Sequence, residues 1–217
     1  MTLYFSILPT MTNDLTKTER GINYSRRAPS MGMWQINKIP AELIGTDEEE
    51  RLVGRTVHFA VSSLFHQHIA LMNVAASERS ICHKIAESLQ DRYLSDYWSV
   101  DCEYNRIGKE PKRMTRGNGE DLSLVLPDII IHNRGSNDNL AVIEVKKDTA
   151  SIEQIADDVN KLHAYRKDLN YRYAFMVITG TGSDRKGKIN PGVYRITEES
   201  DDWQMNQINS YGENEEL

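Results

Sequence analysis

Two acidic residues and a lysine interrupt two apolar segments between residues 127 and 147, PDIIIHNRGSNDNLAVIEVKK. The acids are Asp128 and Glu144, and the lysine is Lys146. The surrounding apolar residues predict two buried strands, in which a charged side chain is costly unless it has a partner. Carboxylate oxygens are preferred ligands of Mg²⁺ and Mn²⁺, and a nearby ammonium group can stabilise charge that develops on a phosphate. The residue types therefore indicate a metal-assisted site.

The spacing of these residues predicts that they share one face of a hairpin. We expect two antiparallel strands joined by the five-residue loop Gly135–Asn139. In that register Asp128 lies opposite Lys146, and Glu144 joins them on the same face because side chains alternate along a strand. The carbonyl of Val145, between the Glu and the Lys, is a further oxygen ligand. A loop longer or shorter by one residue would break this cluster.

Two helices are predicted before the hairpin. The first runs from Thr46 to about residue 72, and the second is capped by Ser77 and runs to about Leu94. At 100° per residue the second helix has one apolar stripe, with Glu78 at its head pointing inward. Its apolar members are Cys82, Ile85, Leu89 and Tyr93.

The rest of the pattern predicts a strand near 97–106, a loop at about 107–121, and a helix at 151–167 with Ile152 on its apolar face. A buried strand at 173–179 and a further strand at 192–196 follow. The predicted order is thus helix, three strands, helix, strand, which is an α/β arrangement.

The composition is that of a soluble globular protein, since 39% of the 217 residues are hydrophobic and 27% are charged. No apolar run approaches the roughly 20 residues that span a bilayer. The N-terminus also lacks the basic leader of a secretory signal. We therefore expect no membrane association and a cytoplasmic location. Cys82 and Cys102 lack the spacing of a metal site or a disulfide framework.

The net charge of −6 is unevenly distributed along the chain. Residues 198–217 carry seven acids and no Lys or Arg, whereas the rest of the chain carries 25 acids and 26 bases. The acidity is therefore partly a property of the C-terminal segment and does not exclude a nucleic-acid partner.

The motif Pro127-Asp128, followed after fifteen residues by Glu144-Val145-Lys146, resembles the PD-(D/E)xK nuclease superfamily. The resemblance implies a restriction-endonuclease-like core, a mixed central sheet flanked by helices, and Mg²⁺- or Mn²⁺-dependent hydrolysis of phosphodiester bonds, most simply as an endonuclease. It also implies roles for the site residues. Asp128, Glu144 and the Val145 carbonyl would be metal ligands, Lys146 would orient the attacking water, and Glu78 would be the auxiliary helix acid and a further ligand.

The resemblance also implies a division of the chain. Residues 77–197 would form the nuclease-like core, preceded by an N-terminal arm and helical extension at 1–76 and followed by an acidic C-terminal tail at 198–217. The superfamily often uses a polar residue on the helix after the motif. Gln154, Asp158 and Lys161 are candidates, and their spacing does not select one.

A basic segment precedes the motif and is a candidate surface for phosphates. A solvated loop is an equally good interpretation of the same residues. Its cations are Arg106, Lys109, Lys112, Arg113 and Arg116. Nucleic acid is the expected partner, and DNA is favoured over RNA only because most of the resembled superfamily acts on DNA.

Other interpretations stay open at this point. Glu144 and Lys146 are also compatible with an edge strand that carries solvated charges. Asp128 is compatible with a turn after Pro127, and Glu78 with an acid favoured by the helix dipole. A catalytically inactive nucleic-acid-binding or protein-interaction member of the same fold is the alternative function. Homodimer formation through the N-terminal extension is compatible with the sequence and not required by it.

Overall fold

The computed structural model of the protein describes residues 44–92, 97–107, 110–111, 113–115, 122–180, 189–199 and 202–210. Its helices are α1 (Glu48–Gln67), α2 (Ile69–Asn73), α3 (Glu78–Gln90) and α4 (Ile152–Leu169). Its strands are β1 (Ser99–Cys102), β2 (Arg106–Ile107), β3 (Glu110–Pro111), β4 (Arg113–Thr115), β5 (Leu122–Leu124), β6 (Ile129–His132), β7 (Asn139–Lys147), β8 (Tyr173–Thr179), β9 (Gly192–Glu199) and β10 (Asp202–Ser210).

Six of these strands form one mixed sheet in the order β1-β6-β7-β8-β9-β10. All neighbouring pairs are antiparallel except β7 and β8, which are parallel. Parallel strands need a crossover, and α4 supplies it between β7 and β8. The mixed α/β class with a central sheet flanked by helices is thereby confirmed. Strands β2 with β3 and β4 with β5 form two small separate pairs.

Different helices pack against the two faces of the sheet, and alternate side chains of each strand point to opposite faces. Ile143 and Val145 of β7 join the apolar cluster that contains α1 and α3. Val142 of β7 joins the cluster that contains α4. Because Glu144 and Lys146 have the same parity as Val142, they are directed to the α4 face.

The register of the hairpin differs from the prediction by two residues. The predicted register placed Ile129 opposite Val145, whereas Ile129 pairs with Ile143. An irregularity between Ile131 and His132 accompanies the longer connection. Because the side-chain period of a strand is two, a shift of two residues keeps every side chain on its predicted face. The clustering on one face therefore survives an incorrect register.

The helices before the hairpin follow the prediction with shorter bounds. Asp47 caps α1, and the Asp47 side chain accepts a hydrogen bond from the Glu50 amide. His68 separates α1 from α2, so the helix predicted to run to about residue 72 is divided in two. Ser77 caps α3 as predicted, and α3 ends at Gln90. Cys82, Ile85 and Leu89 are buried, which confirms the stripe over the described part of that helix; Tyr93 lies outside the described residues.

Both flanking segments of the predicted division contribute to the core. Val53 and Val57 of α1 are fully buried in the same cluster as the sheet, so α1 is a core helix rather than an appended extension. In the predicted acidic tail, β9 continues to Glu199 and β10 pairs along it as the sixth strand. Sequence patterning missed β10 because its residues, DWQMNQINS, are mostly polar, as is usual for an edge strand.

No helix among the described residues is both long and apolar enough to cross a bilayer. 

A capping box fixes the start of α4, the helix that packs on the predicted site. The Ser151 hydroxyl accepts from the Gln154 amide, and the Gln154 side chain accepts from the Ser151 amide. Ile152, predicted on the buried face, is 57% exposed because this first turn extends past the core.

Ser151→Ala is expected to lower the free energy of unfolding by about 1 kcal/mol, because the first-turn amide of α4 loses its acceptor. Chemical denaturation measures this change. Ser88→Ala, in the last turn of α3, is the matched control and is expected to cause no loss, since Ala has a higher helix propensity than Ser. Equal effects of both substitutions would contradict the capping role.

Candidate functional site

The start of β6 brings Asp128 and Glu144 together. Ile129 pairs with Ile143, so the next residue pair in the antiparallel register is Asp128 with Glu144. The Val145 amide donates to Asp128 Oδ2 at 2.8 Å, and the Glu103 amide donates to the Asp128 carbonyl at 3.2 Å. The charge of Asp128 raises the pKa of Glu144, so the two carboxyl groups interact. The two acids of the motif therefore form one carboxyl pair.

Burial decides the protonation of this pair. Glu144 is 3% exposed, and burial, followed by the negative charges of Asp128 and Asp158, raises its pKa well above the ordinary value. Burial also raises the pKa of Asp128, although the Val145 amide and Lys146 oppose that rise. Two adjacent carboxylates repel each other when both are ionised, so the site without a metal favours the protonated form of Glu144.

One oxygen of this pair is available for a ligand. Glu144 Oε1 is buried and has no hydrogen-bond partner among the described residues. The Val145 amide and carbonyl point to the same side of β7, which is the side where Asp128 lies. Asp128, Glu144 Oε1 and the Val145 carbonyl are oxygen ligands of the kind that Mg²⁺ and Mn²⁺ take, so this donor set fits the predicted metal.

Lys146 is held by acids from two helices. Its Nζ lies 2.8 Å from Asp158 Oδ2 in α4 and 3.7 Å from Glu78 Oε2 in α3. Burial lowers the pKa of Lys146, but the negative charges of Asp158, Glu78 and Asp128 outweigh burial and raise it above the ordinary value. Lys146 is thus a permanent cation next to the carboxyl pair.

Glu78 contributes to the site differently from the prediction. Its side chain is 39% exposed and pairs with Lys146, so it is only partly directed inward. No group of three or more Asp, Glu, His or Cys side chains in the described part of the chain is placed to hold a metal ion. Of the predicted ligands Asp128, Glu144, Val145 and Glu78, the first three lie together on neighbouring strands, whereas Glu78 pairs with Lys146.

The structure selects among the three candidate residues of α4. Gln154 belongs to the capping box and is exposed. Asp158 is 1% exposed and binds both Lys146 and Lys161, the latter at 2.5 Å between Oδ1 and Nζ. Asp158 and Lys161 are the α4 residues that join the site.

The helical spacing in the sequence could have selected Asp158 as the buried candidate on α4. Asp158 lies three residues after Ile155 and four before Leu162, so it belongs to the buried stripe of α4. Tyr165 continues that stripe and is 1% exposed. Burial, followed by the charge of Glu144, raises the pKa of Tyr165 well above its ordinary value.

The basic segment is described only in part. Arg106 is exposed at the start of β2, and Arg113 lies in β4. Strand β4 contacts α4, so the chain between β1 and β6 returns to the face that holds the carboxyl pair. Lys109, Lys112 and Arg116 lie outside the described residues.

No protein-family model, curated protein or solved structure matches the chain. The resemblance to the PD-(D/E)xK superfamily therefore depends on the motif residues, on their geometry and on the order of the elements around them.

Glu144→Gln is expected to stabilise the metal-free protein at neutral pH. Because the pKa of Glu144 is raised in the folded state, the folded protein binds a proton that the unfolded chain releases above about pH 4.3, and stability is lost as pH rises from there. The free energy of unfolding of the variant should fall less as pH rises, by about 1.4 kcal/mol for each unit by which the pKa of Glu144 is raised.

Denaturation in EDTA at several pH values measures this difference, which should grow from acidic to neutral pH. Glu198→Gln, on the exposed part of β9, is the matched control and should show no such growth. A variant whose stability follows the parent's pH dependence would contradict the raised pKa of Glu144.

Proposed function

We propose that the protein is a Mg²⁺- or Mn²⁺-dependent nuclease that hydrolyses phosphodiester bonds of nucleic acid, as an endonuclease and with DNA ahead of RNA. The observation that carries this proposal is the carboxyl pair of half-buried Asp128 and buried Glu144, with the Lys146 side chain on the same face of the sheet. A protein that only needs a stable sheet has no use for two adjacent acids and an unpartnered carboxylate oxygen at this position.

The metal would be held by Asp128, Glu144 and the Val145 carbonyl. When bound, it would supply an activated water and neutralise charge on the phosphate. The Val145 amide fixes the orientation of Asp128, and burial keeps bulk water away from Glu144. These features preorganise the ligands before any substrate arrives.

Lys146 would act as a fixed positive charge beside the reacting phosphate. Asp158 and Glu78 hold its ammonium group from two sides, and its side chain is 20% exposed. A lysine held in this way can orient a water molecule, or stabilise the negative charge that develops on the phosphate in the transition state, with little reorganisation. Glu78 is accordingly a positioning residue in this proposal.

The nucleic-acid partner is supported by the cations of the basic segment, since its strand β4 contacts α4, the helix that also carries Asp158 and Lys161. The preference for DNA depends on the resemblance alone. The cytoplasmic location and the homodimer stay predictions.

A catalytically inactive binding member of the same fold is the second candidate. The ion pair between Lys146 and Asp158 favours it, because it occupies the ammonium group that catalysis would use. The two candidates differ in whether the acids are needed for turnover.

Asp128→Asn and Lys146→Ala are each expected to lower cleavage of plasmid and single-stranded DNA by about 10²-fold or more, since each removes charge from the reacting centre. The measurement is cleavage rate with Mg²⁺ or Mn²⁺. Asp157→Ala, exposed on α4, and Lys84→Ala, on α3, are matched controls expected to retain the parent rate. Equal cleavage rates in the parent and all variants would contradict the site assignment. A folded parent and folded variants that all fail to cleave would favour the catalytically inactive binding protein.

Mg²⁺ or Mn²⁺ is expected to raise the Tm of the parent, because a ligand of the folded state stabilises by about 2.7 kcal/mol at 100-fold excess over its Kd. Glu144→Gln should lose this rise, since an amide cannot replace the charged ligand. Thermal unfolding with and without the ion measures it, and Glu198→Gln should behave as the parent. A parent without any metal-dependent rise would argue against the donor set.

A further inference from the structure

Two lysines share one buried carboxylate beside the carboxyl pair. Lys146 Nζ lies 2.8 Å from Oδ2 of Asp158, and Lys161 Nζ lies 2.5 Å from Oδ1. The Asp158 side chain is 2% exposed, whereas 52% of the Lys161 side chain is exposed. The arrangement is a row of cation, anion and cation that begins next to the carboxyl pair and ends at the surface.

The three groups of the row carry a net charge of +1, which Glu78, 3.7 Å from Lys146, offsets at the Lys146 end. Each ammonium group has three donors. Lys161 donates one of them to Asp158 Oδ1, whereas Lys146 lies at ion-pair distance from Oδ2 without a hydrogen bond to it. The remaining donors of Lys161 are directed to the accessible side because its carboxylate partner is buried beneath it. A ligand with several anionic oxygens, such as a phosphate, matches that arrangement.

An ordinary ion pair on a helix surface does not account for this geometry. The chain contains such a pair at the same spacing, Lys84 with Glu87 in α3, at 2.8 Å. There the carboxylate is 55% exposed and is the partner of a single lysine, and such pairs contribute little. Asp158 differs because it is buried and also holds Lys146 of β7, so it connects the second cation to the candidate site.

We propose that Lys161 is a second phosphate-binding residue, which contacts a backbone phosphate of the nucleic-acid strand beside the phosphate at Asp128 and Glu144. Asp158 is the positioning residue that fixes the ammonium groups of Lys146 and Lys161 relative to each other. The inference rests on the proposed nuclease function and adds a substrate contact that the motif does not contain.

The test is binding of a fluorescently labelled DNA duplex and single strand in EDTA, measured by anisotropy over a range of salt concentrations. Lys161→Ala should weaken binding about tenfold, as expected for one charge-assisted hydrogen bond. It should also lower the slope of log affinity against log salt by about 1. Lys161→Arg should restore most of both. Lys84→Ala removes the same charge from the matched α3 pair and should change neither.

Steady-state kinetics with Mg²⁺ separates the two roles. Lys161→Ala should raise KM more than it lowers kcat, because Lys161 holds a phosphate that does not react. Asp158→Asn should lower kcat as well, because Lys146 loses its anchor. The melting temperatures of the variants show whether each is folded.

The outcomes distinguish this inference from the nuclease proposal. Cleavage by the parent, with Lys161→Ala binding and turning over like Lys84→Ala, would overturn the Lys161 contact and leave the nuclease standing. Weakened binding by Lys161→Ala without cleavage by any folded variant would support the phosphate contact and remove the nuclease. A parent that binds no nucleic acid in low salt would overturn both.

Discussion

Asp128 and Glu144 bring two carboxyl groups into contact in a buried part of the sheet, and the neighbouring structure depends on how that repulsion is relieved. Repulsion between the two carboxylates and the burial of Glu144 favour its protonated form, in agreement with its raised pKa. The Val145 amide stabilises one oxygen of Asp128, and Glu144 Oε1 has no hydrogen-bond partner in the described chain. The two carboxyl groups therefore repel each other, and a bound divalent cation would relieve that repulsion.

The charges around the pair alternate in sign over a short distance. Lys146 follows the pair, Asp158 follows Lys146, and Lys161 follows Asp158. Each group lies next to one of opposite sign, so burial of this many charges is tolerated. The row also joins the end of β7 to the middle of α4, and the capping box at Ser151 fixes where α4 begins. Local helix chemistry and the electrostatics of the site are connected in this way.

One face of the sheet is mainly apolar, and the other carries the charged groups of the candidate site. The face under α1 and α3 is lined by apolar residues such as Ile143 and Val145, and it supplies most of the hydrophobic core. The α4 face combines a smaller apolar cluster with the charged row. A sheet supported on one face by two helices can hold polar groups on the other, since the cost of burying those groups is offset by apolar burial elsewhere.

The sequence alone determined which residues share a face, because strand and helix periods are local properties: Asp128, Glu144 and Lys146 met even though the hairpin register was wrong by two residues. The capping residue Ser77 and the buried strand at 173–179 were predictable for the same reason. Only the tertiary structure decided that Asp158 rather than Gln154 reaches Lys146, and that Glu78 pairs with the lysine instead of the carboxyl pair. Those contacts depend on how α3 and α4 are placed against the sheet, and packing between elements distant in sequence is not encoded in the period of any one of them.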